Sequence, residues 1–413
     1  MNRTGIIMMM ALTLMSSNCN KKGCTDPNAI NYDSKIKQKN SSSVSCIYAE
    51  VGPTELDCNT FNTSGTVYEL QDLGLEVDYI VNCKMPVKCD LKVMPGVTIE
   101  FSADAGLQVN ASGSINAIAT TESPILFTGV NKVSGSWAGI YVESTDINNK
   151  IDGCTIEYAG GDNFNSNGDK GAFILYANSS MEISNTSISK CANYGINANY
   201  GGCSFSFQNN TITSCTMPIF IAAEYGGSIS GGSFTGNTTD AIYIDTYGSQ
   251  ADITTSQTWS DLNVPYRAKG GARIQSKSDW VIAPGVEMEF EAGSGILVND
   301  GNSLNAIGTT NEKIIFRGVN PGPGAWKMIY FNGTNSLNEI AFAEINGGGE
   351  DPTNTKGTVF TWYNAKLYIH DVSFTNNLAC GVYVRLNGTT PNPNYSSSNL
   401  TFSNNTCDET FGN

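Results

Sequence analysis

From about residue 64 onward, apolar residues come in short alternating runs such as VTIEF (97–101) and AIYI (241–244), separated by turns rich in Asn and Gly. Alternation of this kind predicts β-strands with one face buried. The runs are periodic. Ile188, Ile212 and Phe234 each follow a polar turn at steps of 24 and 22, and Ile196, Ile219 and Ile242 recur at steps of 23. Strands that return every twenty-odd residues predict an all-β fold, a parallel β-solenoid. A single coil cannot bury a core alone, so neighbouring coils must stack their inward Ile, Val and Phe into one column. Asn and Gly tolerate left-handed backbone angles, which places the repeated NN, GG and GN pairs at coil corners.

A longer repeat overlies the short one. GSINAIATTESPILFTGVN (113–131) recurs as NSLNAIGTTNEKIIFRGVN (302–320), an offset of 189. VMPGVTIEF (93–101) and IAPGVEMEF (282–290) share that offset, as do GSWAGIYV (135–142) and GAWKMIYF (324–331). Trp137 and Tyr141 thus correspond to Trp326 and Tyr330. After a three-residue deletion GAFILYANSSMEISNTSIS (171–189) continues as GTVFTWYNAKLYIHDVSFT (357–375). The chain is therefore expected to hold two related arms, 64–250 and 251–413.

The first residues are of another kind. MNRTGIIMMMALTLMSSNC carries Arg3, an apolar run from Ile6 to Met15 too short to span a bilayer, and small polar residues before Cys19. This layout predicts an export signal over 1–18. LMSSNC resembles a bacterial lipoprotein signal, which implies lipid attachment at Cys19 and a short linker over 19–23. The expected address is the outer membrane or cell surface, with free secretion as the alternative, and membrane contact only through the N-terminal lipid.

Charge and cysteine usage narrow the partners. With 23 basic and 38 acidic side chains the formal charge is −15, and no basic stretch offsets it, so nucleic acid is not expected as a partner. Twelve cysteines suit an oxidising compartment. Cys191 with Cys215, and Cys380 with Cys407, lie about one coil apart and read as bridges between rungs. Cys24 and Cys46 bound a small unit (24–50) whose GCTDPNAINY opening resembles a module of exported Bacteroidetes proteins. Its ending, SSSVSCIY, lacks that module's acidic pair, which weakens a metal-binding role but leaves a Cys24–Cys46 bridge.

The order PGVTIEF…GLQVN…GSINAIAT…PILFTG…GSWAGI…CTIEYAGG, over roughly residues 75–413, resembles right-handed parallel β-helix proteins of bacterial surfaces, akin in fold to pectin lyases. What the resemblance implies is architecture. The NTD, DD and GHG segments of hydrolases with this shape are absent. The one histidine, His370, follows an inward Ile369 and is expected to face outward; a single His gives no basis for a Ser-His-Asp arrangement. Lyase chemistry needs calcium-holding carboxylates and a basic residue. The main basic group, Arg267, Lys269, Arg273 and Lys277, joins the two arms and reads as a solvated linker face, with an acidic glycan as its alternative ligand.

Binding candidates remain. The loops GGDNFNSNGDKG (160–171) and GGGEDPTNTKG (347–357) bring Asp162, Asp169, Glu350 and Asp351, expected on one edge of the solenoid. Asn163, Asn165 and Asn167 have the alternate spacing of calcium ligands but lack the distal Glu, so no cofactor is expected beyond that suggestion of calcium. Trp137, Tyr141, Trp326 and Tyr330 could stack on sugar rings or cover the solenoid wall. Tyr194, Tyr200, Tyr225, Tyr243 and Tyr247 could form an exposed ladder. The expected function is a non-catalytic surface or secreted β-helix that binds polysaccharide or a cell-surface glycan, or mediates adhesion. A polysaccharide lyase or glycoside hydrolase is the alternative, and a structural spacer the second.

Overall fold

A computed structural model describes residues 24–32, 34, 45–47, 52–354 and 356–413. The export signal, Cys19 and the linker to residue 23 lie outside the described residues. The chain divides after Gly52. In the first unit Cys24 and Cys46 form the predicted disulfide, with a Cα–Cα distance of 4.9 Å.

The second unit is a parallel β-helix, and its ladder begins at Thr54–Leu56, ten residues ahead of the expected start. In the first arm each coil lays one strand on each of three faces. The first face runs from Thr54–Leu56 to Thr211–Thr213 and the third from Val67–Leu70 to Ile229–Ser230, seven strands each. Between them in the chain lies the second face, which includes Gly106–Val109, Gly139–Val142, Phe173–Leu175 and Tyr194–Ala198. The predicted period is the stacking register: Ile188 pairs with Ile212, Ile196 with Ile219, and Ile219 with Ile242, all inward and buried. Stacked in this way, short strands that are marginal alone share one continuous core.

Corners obey the left-handed rule. Gly153, Asn185, Asn209 and Gly231 stack at the turn from third to first face with φ of 68°, 50°, 55° and 61°. Asn185 N–H donates to Gln208 O at 3.1 Å and Asn209 N–H to Ser230 O at 2.9 Å, so each corner is tied to the coil above.

The two arms meet with a turn about the axis. The second-face ladder passes from Ile242–Asp245 to Tyr266–Ala268 and on to Glu287–Phe290. Yet Glu287–Phe290 is the copy of Thr98–Phe101, a first-face strand. The copy of Gly106–Val109 is Gly295–Val298, and it lies in a different, seven-stranded ladder from Asp252–Ile253 to Cys407–Gly412. The second arm is thus advanced by one face. At the junction the short 3-10 helix Ala223–Ser228 is tied to the start of the new ladders, where Glu224 accepts from Thr255 Oγ1 at 2.6 Å and Gln257 accepts from Gly227 N–H at 2.8 Å.

Candidate ligand-binding face

The seven-stranded ladder of the second arm carries the most distinctive outer surface. Ile274, Ile296, Ile329, Val359 and Val382 point inward and are fully buried. Alternation then turns Gln275, Leu297, Tyr330, Phe360 and Tyr383 to the outer side of the strands, stacked in register coil upon coil, although Phe360 and Tyr383 are themselves only 5% and 6% exposed. The rings touch along the column, with centroids 5.1 Å apart for Tyr330 and Phe360 and 5.8 Å for Phe360 and Tyr383. Trp362 joins from the strand end, 6.1 Å from Phe360 and 6.3 Å from Tyr330. Met328, Phe360, Cys380 and Tyr383 form an apolar cluster separate from the solenoid core, with Tyr330 and Trp362 half-buried against it.

Two arginines frame these rings. Arg385 lies 4.0 Å above the Trp362 ring and 5.0 Å from Tyr363, and Arg273 lies 5.5 Å from the Tyr330 ring. Burial raises the Tyr330 pKa, and the charges of Arg273 and Arg385 oppose that rise. Among the described residues neither arginine meets a carboxylate, and Arg385 Nε is buried without a hydrogen-bond partner. Arg267 and Arg317 differ: both grip Glu289, at 2.6 and 2.7 Å. Toward the junction the face opens into a hollow of about 370 Å³ lined by Gly271, Arg273, Gln275, Leu297 and Lys327. It adjoins a second of about 480 Å³ beside Tyr247 and Lys269.

The structure splits the basic group of the linker. Arg267 is held by Glu289, Lys277 by Asp252 at 2.6 Å, and Lys269 lies 3.9 Å from Asp245. Arg273 alone of the four is turned to the aromatic face. Arg385, Trp362 and Phe360 were missed by sequence reasoning. The signal that could have found them is the arm-to-arm alignment, which sets Trp362 against Tyr176 and Arg385 against Asn199 at an offset of 186.

The first-arm copy of this face is closed. Tyr141, the copy of Tyr330, is only 2% exposed because Phe164 from the 160–171 loop stacks on it at 5.3 Å and 15°. Asp162 of the same loop pairs with Lys84, the copy of Arg273, at 2.6 Å. That bond holds the Asp162 carboxyl below its ordinary range. Asp169 accepts from Tyr200 Oη at 2.7 Å, and burial together with that bond pushes the Tyr200 pKa up to about 12. Asn165 Nδ2 donates to Asp169 and to Tyr141 Oη, and Asn167 Nδ2 to Tyr200 Oη. The amides that suggested calcium are thus engaged in fastening the loop down.

Several expectations need correction. Trp137 and Trp326 are fully buried: each stacks on a core Phe, Phe101 at 4.1 Å and Phe290 at 4.6 Å, and each Nε1 donates to a backbone carbonyl, Glu157 O at 2.7 Å and Asn346 O at 2.8 Å. They are wall residues, not sugar platforms. The two acidic loops do not share an edge. The first joins the first face to the second, whereas the 347–357 loop leaves the continuous ladder for the Tyr330 ladder, because the second arm is advanced by one face. There Glu350 accepts from Gly293 N–H at 2.6 Å and Asp351 from Asn354 Nδ2 at 2.8 Å, and Asp162 and Asp169 are far from them in the coil order. Tyr225 is buried and Tyr194, Tyr200 and Tyr243 half-buried, leaving Tyr247 as the exposed member of that series.

Cysteine pairing is also mixed. Cys380 and Cys407 are bridged as expected, and Cys58–Cys83 adds a bridge at the start of the solenoid. Cys191 and Cys215 are not bridged. Their thiols donate to Ser189 O and Thr213 O of their own coils and interact with each other without a bond, and burial pushes Cys191 well up.

Catalytic groups are sparse among the described residues. His370 faces outward as expected, but both ring nitrogens are taken, Nδ1 by Asp371 at 2.7 Å and Nε2 by Glu339 at 3.1 Å. No group of three or more His, Cys, Asp or Glu is arranged to hold a metal ion, again among the described residues. Nor is any helix there long and apolar enough to cross a membrane.

Residues 93–258 match the family model described as right handed beta helix region. No curated protein and no solved structure matches the chain. The match and the parallel ladders together support a right-handed β-helix repeat architecture.

Proposed function

We propose that this right-handed β-helix repeat protein is an exported, non-catalytic binder of an extended polysaccharide, held along the Tyr330 face of the second arm. The observation that carries this reading is the pair of half-buried rings Tyr330 and Trp362, 6.3 Å apart and seated on the buried cluster of Phe360 and Tyr383. Together they leave a partly exposed apolar strip on the outer side of the ladder. Sugar rings carry an apolar face and polar edges, and the arginines at the strip's margins suit those edges. Disulfides Cys24–Cys46, Cys58–Cys83 and Cys380–Cys407 support export, since such bonds persist in oxidising compartments. Lipid attachment at Cys19 would then place the face at the outer membrane or cell surface.

Binding rather than cleavage is favoured because the imidazole is occupied on both nitrogens and has no nucleophile bonded to it. The test is migration of the mature protein in native gels cast with neutral, carboxylated and sulfated glycans. Retardation that is lost in Tyr330→Ala and Trp362→Ala, with folding intact by circular dichroism, is the expected result. Retardation unchanged in both variants, or absent from every gel, would overturn the assignment to this face.

A further inference from the structure

The hollow at the junction end of the Tyr330 ladder carries charge that the chain does not neutralise. Its volume, about 370 Å³, is that of a small-ligand pocket, and two cations line it, Arg273 and Lys327. At the offset of 189, Arg273 is the copy of Lys84, Gly295 of Gly106 and Lys327 of Ala138. In the first arm the chain fills this place itself. Phe164 comes within 2.7 Å of where a Cβ on Gly106 would stand, Asp162 neutralises Lys84 at 2.6 Å, and Ala138 is fully buried. In the second arm the three atoms nearest the same point on Gly295 are all Met328 backbone, and the hollow opens beside Arg273, the ladder partner of Gly295. Neither cation forms an ion pair among the described residues. Arg273 is half-buried, and burial holds its guanidinium below its ordinary range, a cost that no counter-ion offsets. The nearby acids are engaged elsewhere. Glu350 accepts from Gly293 N–H at 2.6 Å, and Glu291 from Gly270 N–H at 3.0 Å and Tyr243 Oη at 2.8 Å. Asp351, which feels the Lys327 charge, accepts from Asn354 Nδ2 at 2.8 Å, and Asp245 faces Lys269 in the adjoining hollow.

We infer that this hollow is a site for a phosphoryl group, as free phosphate or a terminal phosphate monoester, gripped by the Arg273 guanidinium and the Lys327 ammonium. The inference goes beyond the polysaccharide reading and does not depend on it, because that reading rests on Tyr330 and Trp362. Two cations call for an anion of two charges, which a phosphate monoester approaches and a carboxylate or a sulfate ester does not. Stacking over the Tyr330 ring uses the flat of the guanidinium and leaves its N–H edge to meet two phosphoryl oxygens, while the ammonium takes a third. Gln275 on the wall of the hollow accepts from Asn299 Nδ2 at 3.5 Å, and its Nε2 meets no acceptor among the described residues, so it can donate to the ligand. In a chain of net charge −15, two unpaired cations on one hollow are a local reversal of sign that draws anions to that place.

The test is titration calorimetry of the whole mature protein with inorganic phosphate, glycerol phosphate and methyl sulfate at constant ionic strength. It is run at about pH 8, where a phosphate monoester carries close to two charges. Inorganic phosphate is expected to bind at about one per chain, and methyl sulfate, a tetrahedral monoanion, about tenfold more weakly. Arg273→Gln and Lys327→Gln, on different coils, should each lose about tenfold in phosphate affinity while keeping the thermal midpoint of the ligand-free protein. Lys277→Gln, whose native side chain is held by Asp252, is the charge control expected to bind as wild type. Binding of glycerol phosphate beside phosphate assigns the site to the phosphorylated end of a larger molecule, and binding of phosphate alone assigns it to the free anion. Equal affinity for methyl sulfate, no heat with phosphate, or wild-type affinity in both Arg273→Gln and Lys327→Gln overturns the inference. Each of those results leaves the polysaccharide reading to its own gels, where Tyr330→Ala and Trp362→Ala decide it.

Discussion

Asp162 reaches to within 2.6 Å of the Lys84 ammonium, and this ion pair fastens a loop across the aromatic face of the first arm. Phe164, two residues on, completes the closure over Tyr141. Asp162→Asn combined with Phe164→Ala is therefore expected to open a second face. Titration calorimetry with an oligomer of whichever glycan the wild type retains should show about one site per chain in the wild type, rising toward two in the double variant, because side-chain ordering and closure no longer compete with the ligand. An unchanged stoichiometry would mean that the loop is not what separates the arms.

The continuous ladder depends on Glu289. Its carboxylate is 5% exposed and takes both Arg267 and Arg317. Glu289→Gln leaves two guanidiniums without their shared anion and should lower stability by about 3 kcal/mol, as breaking a buried pair does. Urea unfolding would read this directly.

Trp326 and Trp362 test the division between wall and ligand face. Trp326→Ala removes a fully buried ring stacked on Phe290 and should cost about 3–5 kcal/mol. Trp362→Ala, at the half-buried margin, should leave the unfolding midpoint nearly unchanged while abolishing glycan retention. Paired measurements of melting and of gel migration separate the two roles.

His370 gives the solenoid a pH dependence. Burial disfavours its charged form, but hydrogen bonds to Asp371 and Glu339 outweigh that and raise its pKa above the ordinary 6.5. A raised value means the folded state favours the imidazolium. The stabilisation is fully present below the unfolded pKa and is lost as pH rises through the folded one. Thermal midpoints compared at about pH 5.5 and about pH 8.5 should show a decline that His370→Gln abolishes.

Much of the architecture was legible because strand alternation and coil period are local properties. The step of 23 between Ile196, Ile219 and Ile242 is the stacking register itself, and the Asn185 and Asn209 corners follow from backbone sterics. The one-face advance between the arms was not legible. Each coil spells out its own strands, but which neighbouring ladder a strand joins is set at the junction, where Ala223–Ser228 and Tyr266–Ala268 intervene. Site residues fared unevenly for a related reason. Tyr330 was found by its repeat, whereas Trp326 carries the same repeat signal and is buried; pattern alone does not separate a repeated wall position of the duplicated unit from a repeated surface one. Arg385 and Trp362 stand where the first arm has Asn199 and Tyr176, and so broke the repeat that drew attention to the rest.

A protein that holds a polysaccharide without cutting it leaves the polymer's length unchanged. The most direct measurement is the size distribution of a polyuronate before and after prolonged incubation with a stoichiometric amount of the protein, read by size-exclusion chromatography after the complex is dissociated with salt. Co-elution of protein and polymer at low salt is expected, with the polymer length unchanged once the two are separated. Shortened chains, or new absorbance from unsaturated ends, would contradict it and make the second-arm face part of a catalytic site.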